Sequence, residues 1–175
     1  VITKVANLEI YYKAIQFYLQ YKPMLLNDLL IVLTSRLDHT RAVNFFQKAG
    51  HIALVKPYLR NVQPHNNKTV NEALNQLYIM EEDYQALRTS IESYNNFDHI
   101  TLAQMLEKHE LIEFRRIAAF LYKSNNRWKQ SIEVCKKDKL YKDAMLYASE
   151  SRDKDVAEEM LTWFLEQGHH ECYAA

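Results

Sequence analysis

The chain has 175 residues, 48% of them hydrophobic and 12% aromatic, which is ample for a buried core and too much for a disordered tail. Lys+Arg and Asp+Glu both number 22, so the formal net charge is zero; this argues against nucleic acid as the main partner, because neutralising phosphates needs a cationic surplus. Only two glycines are present, where average usage would give roughly a dozen. Hairpin turns, bulges and phosphate loops depend on glycine, so the composition points away from sheets and toward helices.

In chain order, Tyr11, Ala14, Ile15 and Tyr18 open a helical stripe that Pro23 should end near Tyr21, since the residue before proline avoids the α region. The longest aliphatic run, 29–33, is far short of a membrane span. Asp38 is placed to cap a helix over 38–49 that Gly50 terminates. Pro57 either starts or kinks a helix over 54–62, and Pro64 closes it. Asn67 caps the next stripe, Val70, Ala73, Leu74 and Leu77. Thr101-Leu102-Ala103-Gln104 matches a capping box. Phe114, Ile117, Ala118, Leu121 and Tyr122 form one helix face. Asn126 and Asp153 are further N-cap candidates, and Gly168 is expected to end the last helix. The broad stripe Val156, Ala157, Met160, Leu161, Phe164 and Leu165 suggests a helix packed on two sides, with Trp163 in the core. About ten or eleven short helices are expected, and no strand.

The punctuation repeats. Asn66-Asn67, Asn95-Asn96 and Asn125-Asn126 stand at steps of 29 (95 − 66) and 30 (125 − 95) residues. That length holds two helices and two turns, the unit of a helical-hairpin solenoid. The fold class expected is therefore all-α, an array of short antiparallel hairpins. Such an array has much surface and no central cleft, which favours binding over chemistry.

Charge is blocked along the chain. Residues 1–60 carry 8 basic and 3 acidic side chains, 61–110 carry 3 and 8, 111–142 carry 9 and 3, and 143–175 carry 2 and 8. In a solenoid these blocks become bands open to oppositely charged neighbours. The basic band offers Arg115, Arg116, Arg127, Lys129, Lys136 and Lys137 with Trp128 interleaved, a candidate seat for an acidic helix; solvated charge is the plain alternative.

No catalytic motif accompanies the band. Phosphate loop, nucleophile elbow and His-Glu-x-x-His are all missing, so neither an enzyme nor a cofactor is expected. His169-His170-Glu171-Cys172 places two metal-ligand types three residues apart, but two ligands do not close a site. Cys135 and Cys172 are too few for a disulfide framework and read as free thiols of a reducing compartment. The opening Val1-Ile2-Thr3-Lys4 has neither Met nor signal peptide, and the helical pattern persists to Ala175, so the sequence reads as an excised segment.

Several strings resemble the clathrin heavy chain: Leu25-Leu26-Asn27-Asp28-Leu29-Leu30, Arg36-Leu37-Asp38-His39-Thr40-Arg41, Leu54-Val55-Lys56-Pro57-Tyr58-Leu59-Arg60, Glu113-Phe114-Arg115-Arg116-Ile117, Asn125-Asn126-Arg127-Trp128-Lys129-Gln130-Ser131 and Cys135-Lys136-Lys137-Asp138. The resemblance runs along the whole chain and departs most at Gly168, His169 and His170. It implies a right-handed α-solenoid segment of the proximal leg, with 1–29 ending the preceding leg repeat, 30–173 forming the last one and 174–175 opening a trimerisation region. It implies a scaffold role in vesicle coats, with the acidic clathrin light chain and other heavy-chain legs as partners and membranes met only through adaptors. The location implied is the cytoplasmic face of coated pits and coated vesicles. A generic helical-repeat, peptide-binding adaptor is the competing reading.

Overall fold

A computed structural model describes residues 2–167, with eleven α-helices and no strand among them. The expected all-α hairpin repeat is what forms. The helices fall into two compact units, Val1–Phe97 and Asp98–Ala175.

The first unit holds α1 (Ile2–Tyr21), α2 (Leu26–Val32), α3 (His39–Ala49), α4 (Lys56–Val62), α5 (Lys68–Met80) and α6 (Tyr84–Ser93). Helix α1 ends at Tyr21 as Pro23 requires, and Pro57 lies in the first turn of α4, where its missing N–H costs nothing. Pro64 is in a separate single 3-10 turn, so α4 is already over at Val62. Phe46, Tyr58, Leu59, Val62, Val70 and Leu74 are fully buried, each contributing about 1.5–3 kcal/mol of transfer free energy. Of the α1 stripe only Ile15 is fully enclosed; Tyr11, Ala14 and Tyr18 are half-buried.

The second unit holds α7 (His99–Leu106), α8 (Ile112–Ser124), α9 (Trp128–Lys137), α10 (Tyr141–Ser151) and α11 (Lys154–Gln167), each packed on the next in sequence. Phe114, Ala118, Leu121, Tyr122, Cys135 and Ala144 are enclosed between them. Helix α11 buries Val156, Met160 and Phe164, whereas Leu161 and Leu165 are exposed, so the described residues cover one of its two apolar sides. Trp163 is half-buried at the flank rather than in the core.

The turns explain how so few glycines suffice. After α3, α5, α8 and α9 the chain closes the same motif, in which two successive N–H groups return to carbonyls of the last turn: His51 to Phe46, Asp83 to Tyr78, Arg127 to Tyr122 and Leu140 to Cys135 are the members of each pair that reach back five residues. The left-handed residue is Gly50 in the first and Glu82, Asn126 and Lys139 in the others. Three of the four motifs thus accept a side chain at a cost of about 1–2 kcal/mol. In those same three, an aromatic residue opens the following helix: Tyr84, Trp128 or Tyr141.

N-capping follows the sequence in part. Asp38 accepts from Arg41 N–H at 3.2 Å, Asn67 from Thr69 and Val70 N–H at 2.9 and 3.2 Å, and Asp153 from Asp155 N–H at 2.9 Å. Asn126 is not a cap, because its φ of 60° makes it the left-handed turn residue before Arg127. The expected capping box also fails: Asp98 is the N-cap of α7 and accepts from both Thr101 N–H and Thr101 Oγ1, at 3.1 and 2.8 Å. Because α7 starts at His99, the N–H groups of Ala103 and Gln104 lie inside the helix and leave the Thr101 hydroxyl no orphan donor to cap. Gly168 and the His169–Cys172 cluster lie outside the described residues.

The repeat spacing reappears as hydrogen bonds between successive hairpins. Asn27 donates to Leu54 O at 2.8 Å, Asn67 to Thr40 Oγ1 at 3.2 Å, Gln63 to Ser90 Oγ at 2.7 Å and Asn96 Nδ2 to Asn66 O at 2.9 Å. All span 27 to 30 residues, one hairpin step. The asparagine periodicity marks polar ties across turns as much as helix starts.

Candidate interaction surface

The basic block occupies α8, α9 and the start of α10, and its members separate into paired and open groups. Arg115 is sealed. Its Nε donates to Asp138 at 2.8 Å, and one terminal nitrogen donates to the carbonyls of His109 and Glu110, both at 2.7 Å. One guanidinium therefore staples the α7–α8 turn to the α9–α10 turn. Arg116 reaches Asp143 at 3.2 Å and Glu113 at 3.8 Å. Lys136 pairs with Glu133 at 3.2 Å and lies 5.4 Å over the Trp163 ring. Outside the predicted set, Lys123 does the same work, pairing with Glu150 at 2.8 Å.

Arg127, Lys129 and Lys137 are exposed. Arg127 is the N-cap residue of α9 and donates to Gln130 at 3.3 Å. Lys129 approaches Glu159 only to 4.0 Å with both side chains in solvent, a pair worth little. Lys137 lies in the last turn of α9, where a cation suits the helix dipole. Trp128 is half-buried at the first position of α9. The geometry brings Arg127, Trp128 and Lys129 together at one end of α9 and leaves Lys137 at the other.

The alternating charge blocks thus have an internal use that block counting alone does not reveal. Arg116–Asp143 and Lys123–Glu150 each span 27 residues by subtraction, and Lys129–Glu159 spans 30. The basic block faces an acidic block because the latter arrives one hairpin later. The signal was present as the distance between blocks of opposite sign.

Other titratable groups are structural. His39 Nδ1 lies 2.6 Å from Tyr58 Oη, and its ring stacks on His65 at 5.7 Å. Burial, then the neighbouring His65, lowers its pKa against the opposing pull of Asp38. Burial pushes the Cys135 thiol up to about 12. Among the described residues no group of three or more His, Cys, Asp or Glu could hold a metal ion, and no helix is long and apolar enough to cross a membrane.

The family model described as "Region in Clathrin and VPS" matches residues 30–172. The chain belongs to the clathrin heavy-chain repeat family. It is 69% identical over its full length to the clathrin heavy chain of Drosophila melanogaster, covering 10% of that protein. It is 67% identical to clathrin heavy chain 2 of Homo sapiens, covering 11%, and 68% identical to a probable clathrin heavy chain 1 of Caenorhabditis elegans, covering 10%. The chain therefore spans about a tenth of the length of these relatives. Its helical-hairpin fold is that of the clathrin repeat.

Proposed function

We propose that this chain is a structural leg segment of a clathrin-type vesicle coat that packs against other heavy-chain legs and binds the acidic clathrin light chain on the cytoplasmic face of coated pits and vesicles. Membership of the repeat family supports the coat role. The observation that carries the finer reading is the division of the basic block. Arg115, Arg116 and Lys136 are held by partners within the chain, while Arg127 and Lys129 stay exposed beside Trp128 at one end of α9 and Lys137 stays exposed at the other.

The work assigned to the two groups differs. Arg115 ties the α7–α8 turn to the α9–α10 turn and Arg116 ties α8 to α10, so the exposed cations keep a constant register along α9. A helix with carboxylates at matching intervals would find them preplaced and would lose little entropy on docking. Exposed pairs are individually weak, so several are needed together, and the association stays reversible. Sedimentation of the chain with purified light chain tests the reading. A faster co-migrating species that dissolves at high salt is expected; independent migration at low salt would refute the light-chain assignment and leave the family membership standing.

A further inference from the structure

Helix α11 presents three faces. Val156, Met160 and Phe164 are buried against the unit, and Leu161 and Leu165 lie exposed on one flank. At 100° per residue the opposite flank carries Asp155, Glu159, Thr162, Trp163 and Glu166. With Lys129, Lys136 and Glu158 these line a groove of about 590 Å³ between α9 and α11.

The groove selects by charge and by π-face together. Its floor is the Trp163 indole, propped by Tyr141 at 5.6 Å and Phe164 at 5.1 Å. Its walls carry four carboxylates (Asp155, Glu158, Glu159, Glu166) against two ammonium groups, Lys129 and Lys136, and Glu158 also pairs with Lys154 at 3.8 Å on its outer side. Lys136 Nζ already sits 5.4 Å over the indole, so the ring accepts a cation from within the chain. The Lys129–Glu159 pair at 4.0 Å is loose enough to be exchanged.

We propose that this groove docks a lysine- or arginine-bearing peptide segment of a partner protein, one cationic side chain lying on Trp163 and others meeting the Glu159 and Glu166 carboxylates. The partner's charge is opposite to that of the light chain, and the groove lies on the α11 side of α9; Lys129 borders both surfaces, so the variants that test the groove leave it in place. The volume accommodates several side chains, and the acidic rim excludes an acidic segment by like-charge repulsion.

The chain has two tryptophans, so in the Trp128→Phe variant emission reports Trp163 alone. Titration with an octa-arginine peptide at low salt should change that emission saturably at 1:1 stoichiometry, and octa-glutamate should not. Glu159→Gln with Glu166→Gln should weaken binding about tenfold, since two exposed ion pairs with the peptide no longer form. Lys136→Gln should tighten it about threefold by freeing the ring and removing a like charge. Amide chemical shifts of the wild-type chain should move on α9 and α11, a readout that does not depend on the tryptophan variant. No saturable change, unaltered affinity in the double glutamine variant, or an equal weakening from the first-unit pair Asp28→Asn with Glu82→Gln would each overturn the proposal, the last by showing unspecific polyelectrolyte adhesion.

Discussion

Removing Arg115 is the sharpest test of how the basic block is used. Its side chain is 24% exposed and that of Asp138 14%, and it makes three charge-assisted hydrogen bonds, to one carboxylate and two main-chain carbonyls. Such bonds are worth about 1.5–3 kcal/mol each when buried. Partial exposure lets water replace some of them, so Arg115→Ala should cost about 2–4 kcal/mol. Asp138→Ala leaves the two carbonyl bonds in place and should cost about 1–2 kcal/mol. The pair should couple by at least about 1 kcal/mol in a double-mutant cycle. Urea denaturation followed by tryptophan emission is the assay, because Trp128 and Trp163 both lie in the second unit. A cost below about 0.5 kcal/mol for Arg115→Ala, the range of ordinary surface substitutions, would refute the staple.

Three further outcomes follow from the same structure. His39 has a lowered pKa in the folded chain, so the unfolded state takes up a proton first; stability of the first unit should be full above the ordinary histidine value of 6.5 and decline as pH falls through it, and His39→Gln should flatten that decline in thermal melts between pH 7.5 and 5. Asn67→Ala removes the cap of α5 together with the bond to Thr40 and should cost about 1–2 kcal/mol by chemical denaturation. Cys135 is buried, with its thiol at about 12, so in a Cys172→Ser background alkylation at pH 8 should be slow in the native chain and fast in urea; rapid native labelling would contradict its enclosure.

Much of the fold was legible because its determinants are local. Gly50, Pro23, Asp38 and Asn67 do in the structure what their backbone chemistry dictates, and the stripe from Phe114 to Tyr122 is buried as its spacing requires. The failures share one cause, competition between neighbours. Thr101 has capping chemistry, but Asp98 starts the helix three residues earlier and makes Thr101 a donor within its first turn; Asn126 suits a cap, but the turn before Arg127 needs a left-handed residue. Leu161, Leu165 and Trp163 read as core because a stripe does not say which side a partner element will occupy. The candidate surface was legible as a block of cations and illegible in its division. Whether Arg115 points at solvent or at Asp138 depends on packing two turns together, which no linear spacing encodes.

The proposed division of labour, exposed cations of α9 for an acidic helix and paired neighbours for the scaffold, is open to direct measurement. Calorimetric titration of light chain into the wild type and the Arg127→Glu, Lys129→Glu, Lys137→Glu variant at low salt provides it. The variant is expected to keep its helical content and to bind about a hundredfold more weakly, at roughly 0.5 kcal/mol for each exposed ion pair removed and as much again from the repulsion created. Undiminished affinity in a folded triple variant would contradict it.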